Sequence, residues 1–141
     1  MNRPDATAKP ASGGAAAAES PVDDRRALIR ASRSLRCLPF RRAFYEQVGD
    51  TAVSSGSVAR GSHDWRRLCF LPVTPERAEA HFVWLIRLGV LRREVDGQGL
   101  TERVRLTPMG RRLLEQIQGE IPRAGLRERM LENIRRHRPR L

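Results

Sequence analysis

The chain changes its period at one glycine. Before Gly89, the apolar residues Ala78, Phe82 and Leu85 recur at helical spacing. After it, Leu91, Arg93 and Val95 alternate with Arg92 and Glu94 as they would along a strand. Both sides of the switch are punctuated. Thr74-Pro75-Glu76 supplies a capping hydroxyl, a proline at the first helical position and an acid in the first turn. Gly89 lets the backbone leave the helix with a positive φ that a side chain would oppose. Asp96-Gly97-Gln98-Gly99 is a turn signal, followed by a second strand. That strand places Leu100, Glu102, Val104 and Leu106 on one side, with Thr101, Arg103 and Arg105 on the other.

The flanking segments read as helices and connectors. Residues 1–21 are Ala, Gly, Ser and Pro with few large apolar side chains, and are expected to form a disordered tail. Asp23-Asp24 opens a helix carrying Leu28, Ile29, Ser32 and Leu35, which Pro39 ends. Phe40, Phe44 and Val48 mark a second helix closing at Gly49. The Gly/Ser-rich stretch 50–62 reads as a loop anchored by Val53 and Val58. Asp64 is positioned to cap a short helix holding Trp65, Leu68 and Cys69, with Pro72 as its stop. Thr107-Pro108 starts a further helix with Met109, Leu113, Leu114 and Ile117 on its apolar side, broken at Gly119 and Pro122. A last helix, about 123–137, has Leu126, Met130, Leu131 and Ile134 at amphipathic spacing. The expectation is a mainly α fold with a small β-hairpin, organised as a domain over 22–120 and a basic amphipathic helix and tail over 121–141.

Charge narrows the partners. The 141 residues carry a net charge of +11, and every one of the 27 basic residues except Lys9 is arginine. Residues 21–84 hold eleven Arg against seven acids, whereas 85–141 hold fourteen against seven. A C-terminal half this basic suits a polyanion, and nucleic acid is the commonest. No apolar run reaches the length of a membrane span, and Asp5, Lys9, Pro10 and Glu19 interrupt any secretory-leader pattern. Cys37 and Cys69 lack Cys-x-x-Cys spacing and read as buried free thiols. His63, His81 and His137 are too far apart in sequence to suggest a metal site, and no phosphate-cradling glycine loop or nucleophile–base pair is present. These features predict a non-enzymatic cytoplasmic, nucleoid-associated protein without a metal or cofactor.

Two passages carry a family resemblance. LIRLGVLRREVDGQG resembles the Leu-x-x-x-Gly-(Leu/Val)-(Leu/Ile/Val) exit from recognition helix to wing in the winged helix-turn-helix regulators of transcription. RVRLTPMGRRLLEQI is similar to the Leu-Thr-x-x-Gly-Arg stretch that follows the wing in many of them. The resemblance covers about 64–117. It implies a winged helix-turn-helix with flanking N- and C-terminal helices. The helix-turn-helix would span about 64–88 and the wing about 91–106, binding double-stranded DNA as a homodimeric regulator. At 100° per residue the helical face opposite Ala78, Phe82 and Leu85 is Glu76, Ala80, Val83 and Arg87, flanked by Trp84, with Arg77 at its rim. Thr74, Arg77, Ala80 and Arg87 are therefore the expected groove-side residues, although Glu76 and Glu79 bring negative charge beside them. Arg92, Arg103 and Arg105, on one hairpin face by strand parity, are the expected phosphate or minor-groove contacts. The stripe of Leu126, Met130, Leu131 and Ile134 is the expected dimer contact, or else packs on the N-terminal helix. The alternative function is a winged-helix interaction module that binds a protein through Val83 and Trp84; a weaker one is nucleic-acid binding through charge alone.

Overall fold

Seven helices and one hairpin follow one another in a computed structural model that describes residues 20–138. They are α1 (Pro21–Cys37), α2 (Arg42–Asp50), α3 (Ser55–Val58), α4 (Trp65–Leu68), α5 (Pro75–Arg87), β1 (Leu91–Asp96), β2 (Gly99–Leu106), α6 (Pro108–Gln116) and α7 (Leu126–Arg136). Most of the expected 1–21 tail lies outside the described residues, but its last two positions are structured. The Ser20 side chain accepts from the Asp23 amide and Pro21 is the first residue of α1. The helix therefore begins ahead of its acidic pair.

An aromatic cluster holds the helices together. Phe40 and Phe44 stack with centroids 4.2 Å apart, Phe44 stacks on Phe82 at 5.7 Å, and Tyr45 meets Phe44 edge-on at 5.0 Å. Ala78, Phe82 and Leu85 of α5 are fully buried against this cluster, as their spacing predicts. Phe40 is not helical, however. It makes an antiparallel bridge to Cys69, so α2 starts at Arg42 and α4 stops at Leu68. The α1 stripe also differs from its expected register. Ala31, Ser34 and Leu35 are buried with Leu28 packed beside them, whereas Ile29 is half exposed. Asp64 precedes α4 but its carboxylate caps no amide; it approaches Arg67 at 3.7 Å instead.

The connector 50–62 is more ordered than its composition suggests. Val53 exchanges two backbone hydrogen bonds with Val104, at 3.0 and 2.9 Å, and α3 buries Val58 completely. β2 is thus lined on one edge by β1 and touched on the other by Val53. The β1–β2 register pairs Leu91 with Leu106, Arg92 with Arg105, Arg93 with Val104, Val95 with Leu100, and Asp96 with Gly99. Between the third and fourth of these pairs Glu94 alone opposes Thr101, Glu102 and Arg103, so β2 bulges. Only Leu91, Val104 and Leu106 reach the core. Val95 and Leu100, assigned to the core face by alternation, are 60% and 77% exposed because the hairpin extends past the last residue that packs on it.

Two glycines fix how the hairpin joins its neighbours. Gly89 has φ +83° and turns α5 into β1. Gly110 lies in the first turn of α6, where an added Cβ would stand 2.6 Å from both the Val90 carbonyl oxygen and Leu106 Cδ1. The helix start can approach β1 this closely only with no side chain at that position. Thr107 secures the same junction: its hydroxyl donates to the Val90 carbonyl at 3.0 Å and accepts from the Gly110 amide at 3.0 Å. Thr and Gly in the Leu106-Thr107-Pro108-Met109-Gly110 run therefore have a packing reason.

Candidate nucleic-acid interface

α5 carries the first candidate surface. Thr74 accepts from the Arg77 amide at 3.2 Å, so its hydroxyl is engaged in capping while the residue stays exposed. With Ala78, Phe82 and Leu85 inside, the side left open is Glu76, Arg77, Ala80, Val83 and Arg87. This is the face that helical geometry predicts. Glu79 does not add to the negative charge beside Arg77, because it is ion-paired with Arg93 of β1. Arg93 also donates to the Glu102 carbonyl at 2.7 Å, which ties the hairpin bulge to α5.

α7 supplies a cation that the sequence reading did not place. The Arg136 guanidinium donates to the Ala80 carbonyl at 2.6 Å and to His81 Nδ1 at 2.7 Å, and lies over the Trp84 ring at 5.8 Å. Its pKa is lowered by burial and then by the charges of Arg77 and Arg87. Those two arginines flank it, and among the described residues none of the three has a carboxylate within ion-pair distance. The same contacts separate the expected Val83–Trp84 patch. Val83 is on the surface, whereas Trp84 is half-buried beneath Arg136 and donates its indole N–H to Ser34 at 3.2 Å.

The hairpin carries the second surface. Arg92 and Arg103 are exposed. Arg105 is not free as parity alone suggests, since its Nε is ion-paired with Glu94. Glu94 has a lowered pKa, caused first by that hydrogen bond and then by the charges of Arg105, Arg103 and Arg92. The three arginines therefore cluster around a single carboxylate on the outer side of the ribbon. Two charges remain uncompensated there.

α7 is amphipathic in the reverse sense to most surface helices. Its packed side is polar. Glu132, only 8% exposed, accepts from the Ser34 hydroxyl at 2.5 Å, Glu128 pairs with Arg36 at 3.2 Å, and Arg136 reaches α5. Its apolar stripe faces outward, with Leu126, Met130, Leu131 and Ile134 each more than half exposed. Packing of that stripe on the N-terminal helix, one of the two expectations for it, does not occur.

The model of one protein family, described as Npun_F0494-like, matches residues 22–136. No curated protein and no solved structure matches the chain.

Proposed function

The chain belongs to the Npun_F0494-like family, and on the geometry of α5 and the hairpin we propose that it binds double-stranded DNA as a small transcriptional regulator of winged helix-turn-helix type. In this reading α4 and α5 form the helix-turn-helix, and the hairpin β1–β2 is the wing. One observation carries the proposal. The open face of α5 is edged by Arg77, Arg87 and Arg136, which lack carboxylate partners among the described residues, while Glu79 beside them is neutralised by Arg93. Such a face suits phosphates along both edges of a groove, with Ala80 and Val83 small enough to approach thymine methyls. Arg92 and Arg103 on the wing would add salt-dependent affinity. The protein-module alternative is weaker, because Trp84 is committed to Ser34 and Arg136.

Fluorescence anisotropy with duplexes selected from a random pool tests the reading. Arg77→Gln combined with Arg87→Gln is expected to weaken binding about tenfold or more and flatten the slope of log K against log salt by about 2. Unchanged affinity and slope in the double variant would remove α5 from the interface.

A second copy would complete the head. Leu126, Met130 and Ile134 are spaced by four residues and therefore symmetric about Met130. An antiparallel pairing of two α7 helices would set Leu126 of each copy against Ile134 of the other, an isologous contact that presents two reading heads. Ile134→Asp is expected to convert the dimer to monomer in sedimentation equilibrium. A wild-type protein that is monomeric at high concentration overturns the pairing.

A further inference from the structure

A cavity of about 240 Å³ lies where α1, α7 and the segment leading into α5 meet. Its wall includes Arg77, Arg123 and Arg129 and contains no Asp or Glu. The acids nearest Arg129 along α7 are engaged elsewhere: Glu128 with Arg36, and Glu132 with Ser34 and, more distantly, Arg135. Arg129 Nε is buried and has no hydrogen-bond partner. Arg123 lies over the Phe70 ring at 5.1 Å, and its pKa is lowered by burial and then by the charge of Arg129. Leu71, Pro72 and Val73 contribute apolar lining to the same cavity.

Crowding guanidinium groups together without a counter-charge is costly, and leaving the buried Arg129 Nε donor unpaired adds to the cost. An anion in the cavity would relieve both. We propose that this cavity binds a small organic anion, with a carboxylate or phosphate held by Arg123 and Arg129 and an apolar body against Leu71, Pro72 and Val73. The forked geometry of guanidinium suits either head group. The volume favours a ligand smaller than drug-sized. The site does not depend on the DNA reading, and its ligand can be sought without DNA.

The whole protein is titrated with sodium benzoate, sodium acetate and inorganic phosphate, each against chloride at matched ionic strength. Thermal unfolding and the His81 ring resonances, which report from the cavity wall, are followed by calorimetry and NMR. If the site takes a carboxylate, benzoate raises the midpoint more than acetate does, and the His81 resonances move. If it takes a phosphate, inorganic phosphate is the stronger of the three. Arg123→Gln is expected to weaken the effective anion about tenfold or more, as loss of a charge-assisted hydrogen bond implies. Arg129→Gln is expected to do the same. Should the Arg129 variant fail to fold, Arg123→Gln decides. No response beyond chloride to any of the three anions, or an equal response in Arg123→Gln, overturns the proposal.

Discussion

Phe82→Ala is expected to lower the free energy of unfolding by about 4 kcal/mol, near the middle of the range for a buried aromatic cut back to a methyl. The ring is completely buried, stacks on Phe44 at 5.7 Å and lies 5.8 Å from Phe40. Those two partners sit on α2 and on the strand-like residue that bridges to Cys69, so they cannot follow a shrinking side chain without moving backbone. Relaxation is restricted, and a cavity persists. Phe82→Leu, which keeps most of the volume, should cost under about 1.5 kcal/mol. Urea unfolding with an unchanged m-value checks both figures. A loss in Phe82→Ala below about 1 kcal/mol would mean that the angle of α5 is set elsewhere than by this stack. The open face of α5 would then have no rigid support.

What could be read from the sequence follows how local each determinant is. The span of α5 is legible because Thr74, Pro75 and Gly89 act within one turn of where they stand, and the turn at Asp96–Gly99 is legible for the same reason. The burial of Ala78, Phe82 and Leu85 follows from spacing alone. The Val53–Val104 and Phe40–Cys69 bridges are not legible, because each joins residues far apart in sequence through backbone groups that every residue possesses. Parity puts Arg105 on the outer side of the hairpin but is silent about Glu94, whose carboxylate is brought to it by pairing across the strands. α7 is the clearest case. Its period reveals two faces, and burial of the apolar one is the ordinary inference. The structure buries the polar face because Ser34, Arg36 and the Ala80 carbonyl offer Glu132, Glu128 and Arg136 specific partners. Those partners lie on helices distant in sequence. Arg136 consequently reads as one more solvated arginine of a basic tail until α7 is seen beside α5.

His81 should make stability depend on pH in a window where isolated imidazoles titrate. Burial first, then the charges of Arg136 and Arg77, depress its pKa from 6.5 to about 4. Arginine can only donate, so the 2.7 Å contact with Arg136 requires an unprotonated Nδ1 and leaves the ring proton on Nε2. The ring meets Phe40 edge-on at 5.8 Å, and the cleft it lines also carries Ser34 and Cys37 from α1 and Arg129, Glu132 and Asn133 from α7. No carboxylate hydrogen-bonds the ring among these contacts, and burial, Arg136 and Arg77 all disfavour the imidazolium. A depressed folded-state pKa means that the unfolded chain binds more protons between the two values. Stability is therefore complete above about 6.5 and is lost as the pH falls towards about 4, by up to about 3 kcal/mol in that interval. Carboxylates titrate in the lower part of the same range, so the diagnostic quantity is the difference between wild type and His81→Gln. Glutamine still offers Arg136 an acceptor but takes up no proton. Urea unfolding across this range should give a steeper pH slope for the wild type than for the variant, and NMR should place the His81 midpoint near the lower value. Parallel slopes would mean that the imidazole is equally comfortable charged inside the fold, which the unopposed guanidinium groups of Arg136 and Arg77 argue against.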